Sequence, residues 1–198
     1  MTDPTTKARF EQLALPHLDA AYNLARWLTG NTHDAEDVVQ EAFLRAFRFF
    51  ASFRGDDPRT WLLRIVRNTY YTQLRRERAQ PGSTEFDEEF HSFADDDATL
   101  PSMGRADANP EAAYARMEDM RLVDRALGEL PVEYREALVL RELEDLSYKE
   151  IAAALNVPMG TVMSRLTRAR RLLLETFNRM SGGNDGLQTS RATVRRIR

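Results

Sequence analysis

Residues Ser147–Arg171 read SYKEIAAALNVPMGTVMSRLTRARR, two helix patterns joined by a very short turn. Ser147 and Glu150 form the S-x-x-E pattern of a capping box, which predicts that a helix begins there. Asn156 tolerates a left-handed turn conformation, and Pro158 is suited to begin the segment that follows. Two helices joined by so short a turn predict a helix-turn-helix.

The second of these helices has two chemically different faces. A step of about 100° per residue puts apolar side chains on one arc, namely Val162, Leu166, Ala169, Leu173 and Phe177. The opposite arc carries hydroxyl and guanidinium groups, which can hydrogen-bond base edges and phosphates in a DNA major groove. The predicted groove residues are Thr161, Ser164, Arg165 and Arg168, with Arg170 and Arg171 on phosphates. A solvated basic helix within a bundle is the alternative interpretation.

The chain as a whole has the composition of a soluble, helix-rich protein, with 42% hydrophobic and 30% charged residues. Its 198 residues fit two small domains. The N-terminal residues show no signal-peptide pattern and no run approaches about 18 apolar residues, so we expect a cytoplasmic protein. The absence of cysteine excludes disulfides, thiolate metal sites and cysteine nucleophiles.

The net charge of −3 is unevenly distributed along the chain. Residues 81–115 carry nine acids and one base, so their net charge is −8 and the remainder carries +5. This composition, broken by Pro and Gly, predicts a linker between two domains. Two interpretations of its charge stay open: screening of basic surfaces from indiscriminate DNA contact, or a charged tether with no other role.

Helical periodicity dominates both sides of this linker, so the predicted fold class is all-α. The helices predicted on the N-terminal side run from about Phe10 to Leu28, from Asp34 to Phe50 and from Asp57-Pro58 to Ala79. Four more are predicted between residues 111 and 177, divided at Leu130-Pro131, Glu144-Asp145 and Asn156–Pro158. The tail at 179–198 has no apolar periodicity and carries several basic residues.

The second predicted helix carries Leu44 on its polar side, among Asp37, Gln40 and Glu41. One apolar anchor ringed by polar groups favours a protein-binding surface, and a lone exposed leucine without a role is the alternative. The acids of this helix lie near His33, but they form an incomplete ligand set, so we expect no metal site. No nucleophile motif, P-loop or dinucleotide fingerprint is present, which argues against an enzyme and against a cofactor.

The third predicted helix has a basic face interleaved with an aromatic and an amide. That face consists of Thr60, Arg64, Arg67, Asn68, Tyr71, Arg75 and Arg78, with Trp61 at its edge. Such a face favours nucleic acid, because guanidinium groups bind phosphates and aromatic rings stack on unpaired bases. For Trp61 alone, a place in the core is the alternative.

These features together resemble the small extracytoplasmic-function (ECF) sigma factors of bacterial RNA polymerase, which belong to the sigma-70 family. The resemblance lies in DAEDVVQEAFLRAF at 34–47, FRGDDPRTWLLRIVRNTYYTQLRR at 53–76 and LGELPVEYREALVLRELEDLSYKEIAAALNVPMGTVMSRLTRARRLL at 127–173. It implies region 2 at 1–80, a linker at 81–115, region 4 at 116–178 and a mobile tail at 179–198. Thr72 departs from the family, in which an acid commonly follows the asparagine by four residues.

The resemblance also implies partners and site residues. The core-polymerase-binding residues would be Asp37, Gln40, Glu41 and Leu44, on the β′ clamp helices. The minus-10 element would be read and melted by Trp61, Arg64, Arg67, Asn68, Tyr71 and Arg75, and the minus-35 element read by Thr161, Ser164, Arg165, Arg168 and Arg171. The expected partners are core RNA polymerase, through the β′ clamp helices and the β flap, promoter DNA and an anti-sigma factor, with no membrane insertion.

Two other functions compete with this interpretation. A free-standing helix-turn-helix regulator, with an N-terminal sensing or dimerisation domain, would bind DNA without polymerase but leaves the basic face of the third helix unexplained. An enzyme with a DNA-binding appendage is the third possibility. The sigma interpretation predicts weak promoter binding by the free protein, because polymerase must set the spacing of the two DNA-binding modules.

Overall fold

The computed structural model of the chain describes residues 4–55, 57–79, 118 and 121–181. Within these ranges all regular secondary structure is helical, which confirms the all-α prediction. The acidic linker predicted at 81–115 and the tail beyond residue 181 lie outside the described residues. None of the described helices is both long and apolar enough to cross a membrane.

The N-terminal module contains four helices. They are α1 (Pro4–Ala14), α2 (Leu18–Thr29), α3 (Thr32–Phe49) and α4 (Pro58–Arg78), with 3-10 turns at Leu15–His17 and Phe50–Ser52. Helices α2, α3 and α4 pack against one another around Leu24, Val38 and Leu62, which are fully or almost fully buried. As predicted, Asp57 caps α4, since its side chain accepts a hydrogen bond from the Thr60 amide at 3.0 Å.

The prediction of one continuous helix from Phe10 to Leu28 is wrong. Pro16 lies in the 3-10 turn that separates α1 from α2. Proline has no N–H to donate and its ring clashes with the preceding turn, so the chain ends one helix and begins another there. The predicted stop after Leu28 is confirmed, because Gly30 adopts a left-handed φ of 81° at the end of α2.

The C-terminal module contains the helical segment 121–128 (α5), α6 (Val132–Glu142), α7 (Tyr148–Leu155) and α8 (Met159–Met180). The predicted capping box is present, with Ser147 and Glu150 bonded reciprocally at the start of α7. Asn156 adopts the predicted left-handed conformation, with φ of 55°. The predicted inward arc of α8 is the buried one, consisting of Val162, Leu166, Ala169, Leu173 and Phe177. The helix-turn-helix is therefore confirmed.

The two modules pack directly against each other, α2 against α6 and α4 against α7. Across this boundary the buried guanidinium of Arg135 donates a hydrogen bond to the carbonyl oxygen of Trp27 in the N-terminal module, at 2.9 Å. The buried carboxylate of Glu144 accepts hydrogen bonds across it from Asn23 at 3.1 Å and Arg59 at 2.6 Å. This packing brings α4, which carries the predicted minus-10 face, against α7 of the helix-turn-helix.

Candidate nucleic-acid and polymerase interfaces

The basic face of α4 is divided between solvent and the C-terminal module. Arg64, Asn68 and Arg75 are exposed, as a nucleic-acid surface requires. Arg67 and Tyr71 are half-buried, because they lie where α4 approaches the other module. Thr60, which the periodicity placed on the basic face, is buried beneath it.

Arg67 and Tyr71 converge on one carboxylate of α6, that of Glu136, which is completely buried. Arg67 donates two hydrogen bonds to it, from Nε to Oε2 at 2.8 Å and from Nη2 to Oε1 at 3.0 Å. The Tyr71 hydroxyl donates to Oε2 at 3.3 Å, and the Arg67 guanidinium lies 4.6 Å from the centre of the Tyr71 ring. From α8, Arg165 donates to Oε1 at 3.1 Å. We refer to Arg67, Tyr71, Glu136 and Arg165 as the Glu136 cluster.

The electrostatics of the cluster follow from burial and from the carboxylate. Burial alone would lower the pKa of Arg67, but the hydrogen bonds and charge of Glu136 outweigh it and raise that pKa above its ordinary value. Burial, together with the charge of Glu136, raises the pKa of Tyr71 far above its usual range. Arg67 is therefore charged and Tyr71 neutral at physiological pH, and both act as donors to Glu136.

Helical periodicity did not indicate Glu136 as a functional residue. A signal was nevertheless present, because its spacing from Val132, Val139 and Leu140 places an acid on the apolar stripe of α6. A charge on such a stripe must be paired, since an isolated buried carboxylate is very costly. Its partners lie 69 residues before it and 29 after it in the chain, so no local pattern could identify them.

Trp61 is half-buried at the edge of the α4 face and packs against the aromatic core of the N-terminal module. The centre of its ring lies 4.8 Å from that of Phe53, and Phe53 in turn stacks on Phe50. Trp61 therefore supports the aromatic core, and its role at a nucleic-acid surface stays a prediction.

The outer face of α8 differs from the predicted one at its edges. Ser164, Arg168 and Arg171 are exposed, whereas Thr161 is half-buried and Arg165 is turned towards Glu136. Arg170, predicted to contact phosphate, donates to Glu142 within the same module at 2.7 Å. The structure adds two residues to this face that the periodicity did not single out, Met159 and Met163, which are both exposed.

The predicted protein-binding surface of α3 is open to solvent. Asp37 and Gln40 are exposed beside Leu44, which is 50% exposed. Glu41 is held in place by Arg45 one turn later, at 2.7 Å. A groove of about 430 Å³ adjoins this surface, and its lining residues are Leu18, Asp19, Tyr22, Glu36, Val39, Gln40 and Phe43. Leu44 is thus half exposed while the two modules are packed together.

Family comparisons divide the chain at the same place as the structure. Residues 13–80 match the family model for Sigma-70 region 2, and residues 120–173 match that for Sigma-70, region 4. The chain is 36% identical over 168 residues to the RNA polymerase sigma-H factor of Pseudomonas aeruginosa, which covers 84% of this chain and 85% of that one. The chain belongs to the sigma-70 family of RNA polymerase sigma factors, in its ECF branch.

Further relatives agree with this assignment. The ECF RNA polymerase sigma-E factor of Escherichia coli K12 is 42% identical over 142 residues, covering 71% of this chain and 72% of the relative. The ECF RNA polymerase sigma factor SigE of Mycolicibacterium smegmatis is 37% identical over 174 residues, 86% of this chain. This chain spans 62% of the length of that mycobacterial relative.

Two solved sigma-factor structures share the fold. The sigma factor RpoE of Bartonella quintana, crystallised with the anti-sigma factor NepR, superposes with a TM-score of 0.63 at 27% identity, covering 86% of this chain and 97% of that one. CnrH, solved in complex with the cytosolic domain of CnrY, gives a TM-score of 0.54 at 28% identity, covering 84% and 86%.

These similarities decide between the functions that the sequence left open. A free-standing regulator would carry an unrelated sensing or dimerisation domain before its helix-turn-helix, but residues 13–80 match Sigma-70 region 2. The protein is a sigma factor that acts in transcription initiation, and it is not an enzyme.

Proposed function

We propose that this sigma factor binds core RNA polymerase through the exposed surface of α3 and then separates its two modules to contact the promoter. In this proposal Leu44 is the apolar anchor on the β′ clamp helices, with Asp37, Gln40 and Glu41 around it. The basic face of α4 melts and reads the minus-10 element, and the outer face of α8 reads the minus-35 element.

The observation that carries this proposal is the Glu136 cluster. Arg67 and Tyr71 of the proposed minus-10 face and Arg165 of the proposed minus-35 face all donate to the same buried carboxylate. Donors that satisfy one carboxylate in the free protein are suited to satisfy phosphate and base oxygens in a complex. They cannot do both at once, so promoter contact by these side chains requires α4 and α6 to move apart.

The polymerase surface is not subject to this competition. Leu44 and Gln40 are exposed while the modules are packed together. The expected order is therefore polymerase first and promoter second. This order accounts physically for the weak promoter binding predicted for the free protein, because the closed form occupies its own DNA-binding residues.

An anti-sigma factor is proposed as the partner that holds the closed form. Its support is the similarity to RpoE, a structure obtained with its anti-sigma factor NepR. A protein that contacts both modules at once would stabilise their packing and keep the Glu136 cluster buried. We place this regulation in the cytoplasm, where core polymerase and promoter DNA are found.

The proposal is tested by reconstitution with core polymerase. The wild type and a double variant, Leu44→Asp with Gln40→Ala, are titrated with bacterial core enzyme, and run-off transcription is measured on promoter fragments selected by the wild-type holoenzyme. Both substituted side chains are exposed, so folding should be unaffected. We expect the double variant to bind core at least tenfold more weakly, because an interface loses its apolar anchor and gains a charge.

Phe49→Asp serves as the matched control. Phe49 is an exposed apolar residue at the end of α3, and the five helical steps from Leu44 to Phe49 turn it about 140° around the helix. Core binding should survive this substitution. Equal loss in both variants would show that α3 does not present the proposed surface, and failure of the wild type to bind core would overturn the proposed function itself.

A further inference from the structure

The first turns of α8 carry two large apolar side chains in solvent. Met159 is 49% exposed and Met163, one turn later, is 44% exposed. We propose that Met163, flanked by Met159, is a specificity-determining residue that reads the 5-methyl group of a thymine in the minus-35 element. The inference rests on the proposed function of α8 and adds a residue and a base chemistry to it.

The position of Met163 favours contact with base edges rather than with the protein. It lies in the N-terminal half of α8, the part of a recognition helix that reaches base edges. Its immediate neighbours on the exposed side are Ser164 and Thr167. A side-chain carbon at Gly160 would meet nothing within 4 Å, so the space in front of this end of the helix is open for DNA to approach.

The polar side chains around Met163 already donate hydrogen bonds within the protein, which limits their use as donors to bases. The Ser164 hydroxyl donates to the Thr161 carbonyl oxygen at 3.0 Å, and the Thr167 hydroxyl donates to the carbonyl oxygen of Met163 at 2.9 Å. Both hydroxyl protons are therefore used inside the helix. Arg165 is engaged by Glu136 while the two modules are packed together. In this turn Met163 is the long side chain that can reach outward without giving up a hydrogen bond.

The chemistry of the major groove then specifies the target. Of the groups that base pairs present there, the thymine 5-methyl is the apolar one, while the others are hydrogen-bond donors or acceptors. A methionine thioether is flexible and polarisable, so it can pack on a methyl group without a fixed geometry. Arg171, exposed further along the same helix, supplies positive charge for the phosphate backbone beside the groove.

The expected loss of affinity follows from the apolar contact that one methyl group makes. Removing one methyl group from an apolar contact costs about as much as exposing one buried CH₂, which corresponds to an affinity about fourfold weaker. The change should appear at one base pair and not across the whole element. Such a local effect distinguishes a base contact from a general loss of DNA affinity.

The test uses holoenzyme reconstituted from bacterial core polymerase and the full chain. A duplex library with a randomised upstream block is enriched with wild-type protein, and deoxyuridine is then substituted for each thymine of the enriched block, on either strand. The wild type should bind one uracil-substituted duplex about fourfold more weakly. Met163→Ala should bind that duplex and its thymine parent equally. Leu174→Ala, which removes an exposed apolar side chain from the other end of α8, should retain the wild-type sensitivity.

The outcomes separate this inference from the function on which it rests. An enriched block in which no thymine is sensitive to uracil overturns the inference alone, and so does a sensitivity that persists in Met163→Ala. If the wild-type holoenzyme enriches no upstream sequence at all, the assignment of α8 to the minus-35 element is wrong, and the inference falls with it.

Discussion

The guanidinium group of Arg67 forms hydrogen bonds of 2.8 and 3.0 Å to the two carboxylate oxygens of Glu136, and so joins α4 of the N-terminal module to α6 of the C-terminal module. Glu136 is completely buried and also accepts a hydrogen bond from Arg165. A buried carboxylate held by two arginines stabilises a structure only while its partners are present. This contact therefore makes the packing of the modules sensitive to one side chain.

Glu136→Gln should open the free protein. The amide keeps the shape of the side chain but has no charge, so two guanidinium groups remain close together without a counter-ion. Losing one partner of a buried pair costs up to about 3–5 kcal/mol, part of which is recovered when the modules separate and the arginines are hydrated. The chain contains no cysteine, so Arg48→Cys and Glu175→Cys provide two exposed labelling sites, one in each module. Energy transfer between the labels should fall, and binding of selected promoter DNA by the free protein should strengthen about tenfold.

Glu142→Gln is the matched control for this experiment. Glu142 pairs with Arg170 inside the C-terminal module, so its loss breaks an acid–arginine contact without touching the boundary. Energy transfer should stay at the wild-type value. If Glu136→Gln lowers the helix content, Arg67→Gln repeats the test from the other module, with energy transfer as the only measurement. Wild-type energy transfer in both variants would contradict the proposed opening.

Local patterns in the sequence predicted most of the helices. The capping box of Ser147 and Glu150, the left-handed Asn156 and the Asp57 cap of α4 all depend on residues within a few positions of each other, and all three are present. The break at Pro16 is also a local signal, because proline ends a helix, although the apolar spacing on either side of it predicted one continuous helix.

The sequence could not predict which way side chains turn where helices pack against each other. Helical spacing predicted Arg67 and Arg165 for nucleic-acid contact, but in the structure both guanidinium groups are half-buried and donate to Glu136. Phe49 and Phe50 are adjacent phenylalanines at the end of α3, but Phe50 takes the core position against Phe10 while Phe49 is exposed. Pairings between residues far apart in sequence are decided by tertiary packing, which periodicity does not encode.

Replacing Arg135 should destabilise the closed protein. Its guanidinium group donates to the carbonyl oxygens of Trp27, Gly128 and Leu130, at 2.7–2.9 Å. Arg135→Leu leaves these acceptors without that donor, and we expect the free energy of unfolding to fall by about 2–4 kcal/mol. Urea denaturation followed by circular dichroism measures this, with Arg125→Leu, an exposed arginine of α5, as the control. A midpoint equal to that of the wild type would show that the three carbonyls are satisfied in another way.

The turn of the helix-turn-helix should depend on the backbone of Asn156. Its φ of 55° is costly for residues with a side-chain carbon other than Asn and Asp, by about 1–2 kcal/mol, and costs glycine little. Asn156→Ala should therefore lower the free energy of unfolding by about 1 kcal/mol, while Asn156→Gly stays close to the wild type. Both variants lose the same 3.5 Å contact with Arg64, so their difference isolates the backbone effect. Equal loss in both would assign the effect to the side chain.

The contribution of Asp124 to the stability of the folded protein should fall as the pH rises, whereas that of a paired carboxylate grows. Burial raises the pKa of this α5 carboxyl to about 6 from an ordinary value of 3.8, and the positive charge of Arg26 on α2 opposes the shift without cancelling it. The folded protein thus binds this proton more tightly than the unfolded chain does. The stabilisation is complete below the unfolded pKa and is lost as the pH rises through about 6, so above that pH the charged carboxylate is a net cost.

Asp124→Asn should accordingly raise the melting temperature by a few degrees at about pH 7.5, and this gain should vanish near pH 4. The comparison is between the two proteins at each pH, because protonation of the other carboxylates lowers the stability of both in acid. Glu175→Gln, which alters an exposed carboxylate of α8, should give no comparable gain at either pH. A gain of equal size at both pH values would mean that the pKa of Asp124 is the same in the folded and the unfolded chain, so that the gain has a cause other than the titration of this carboxyl.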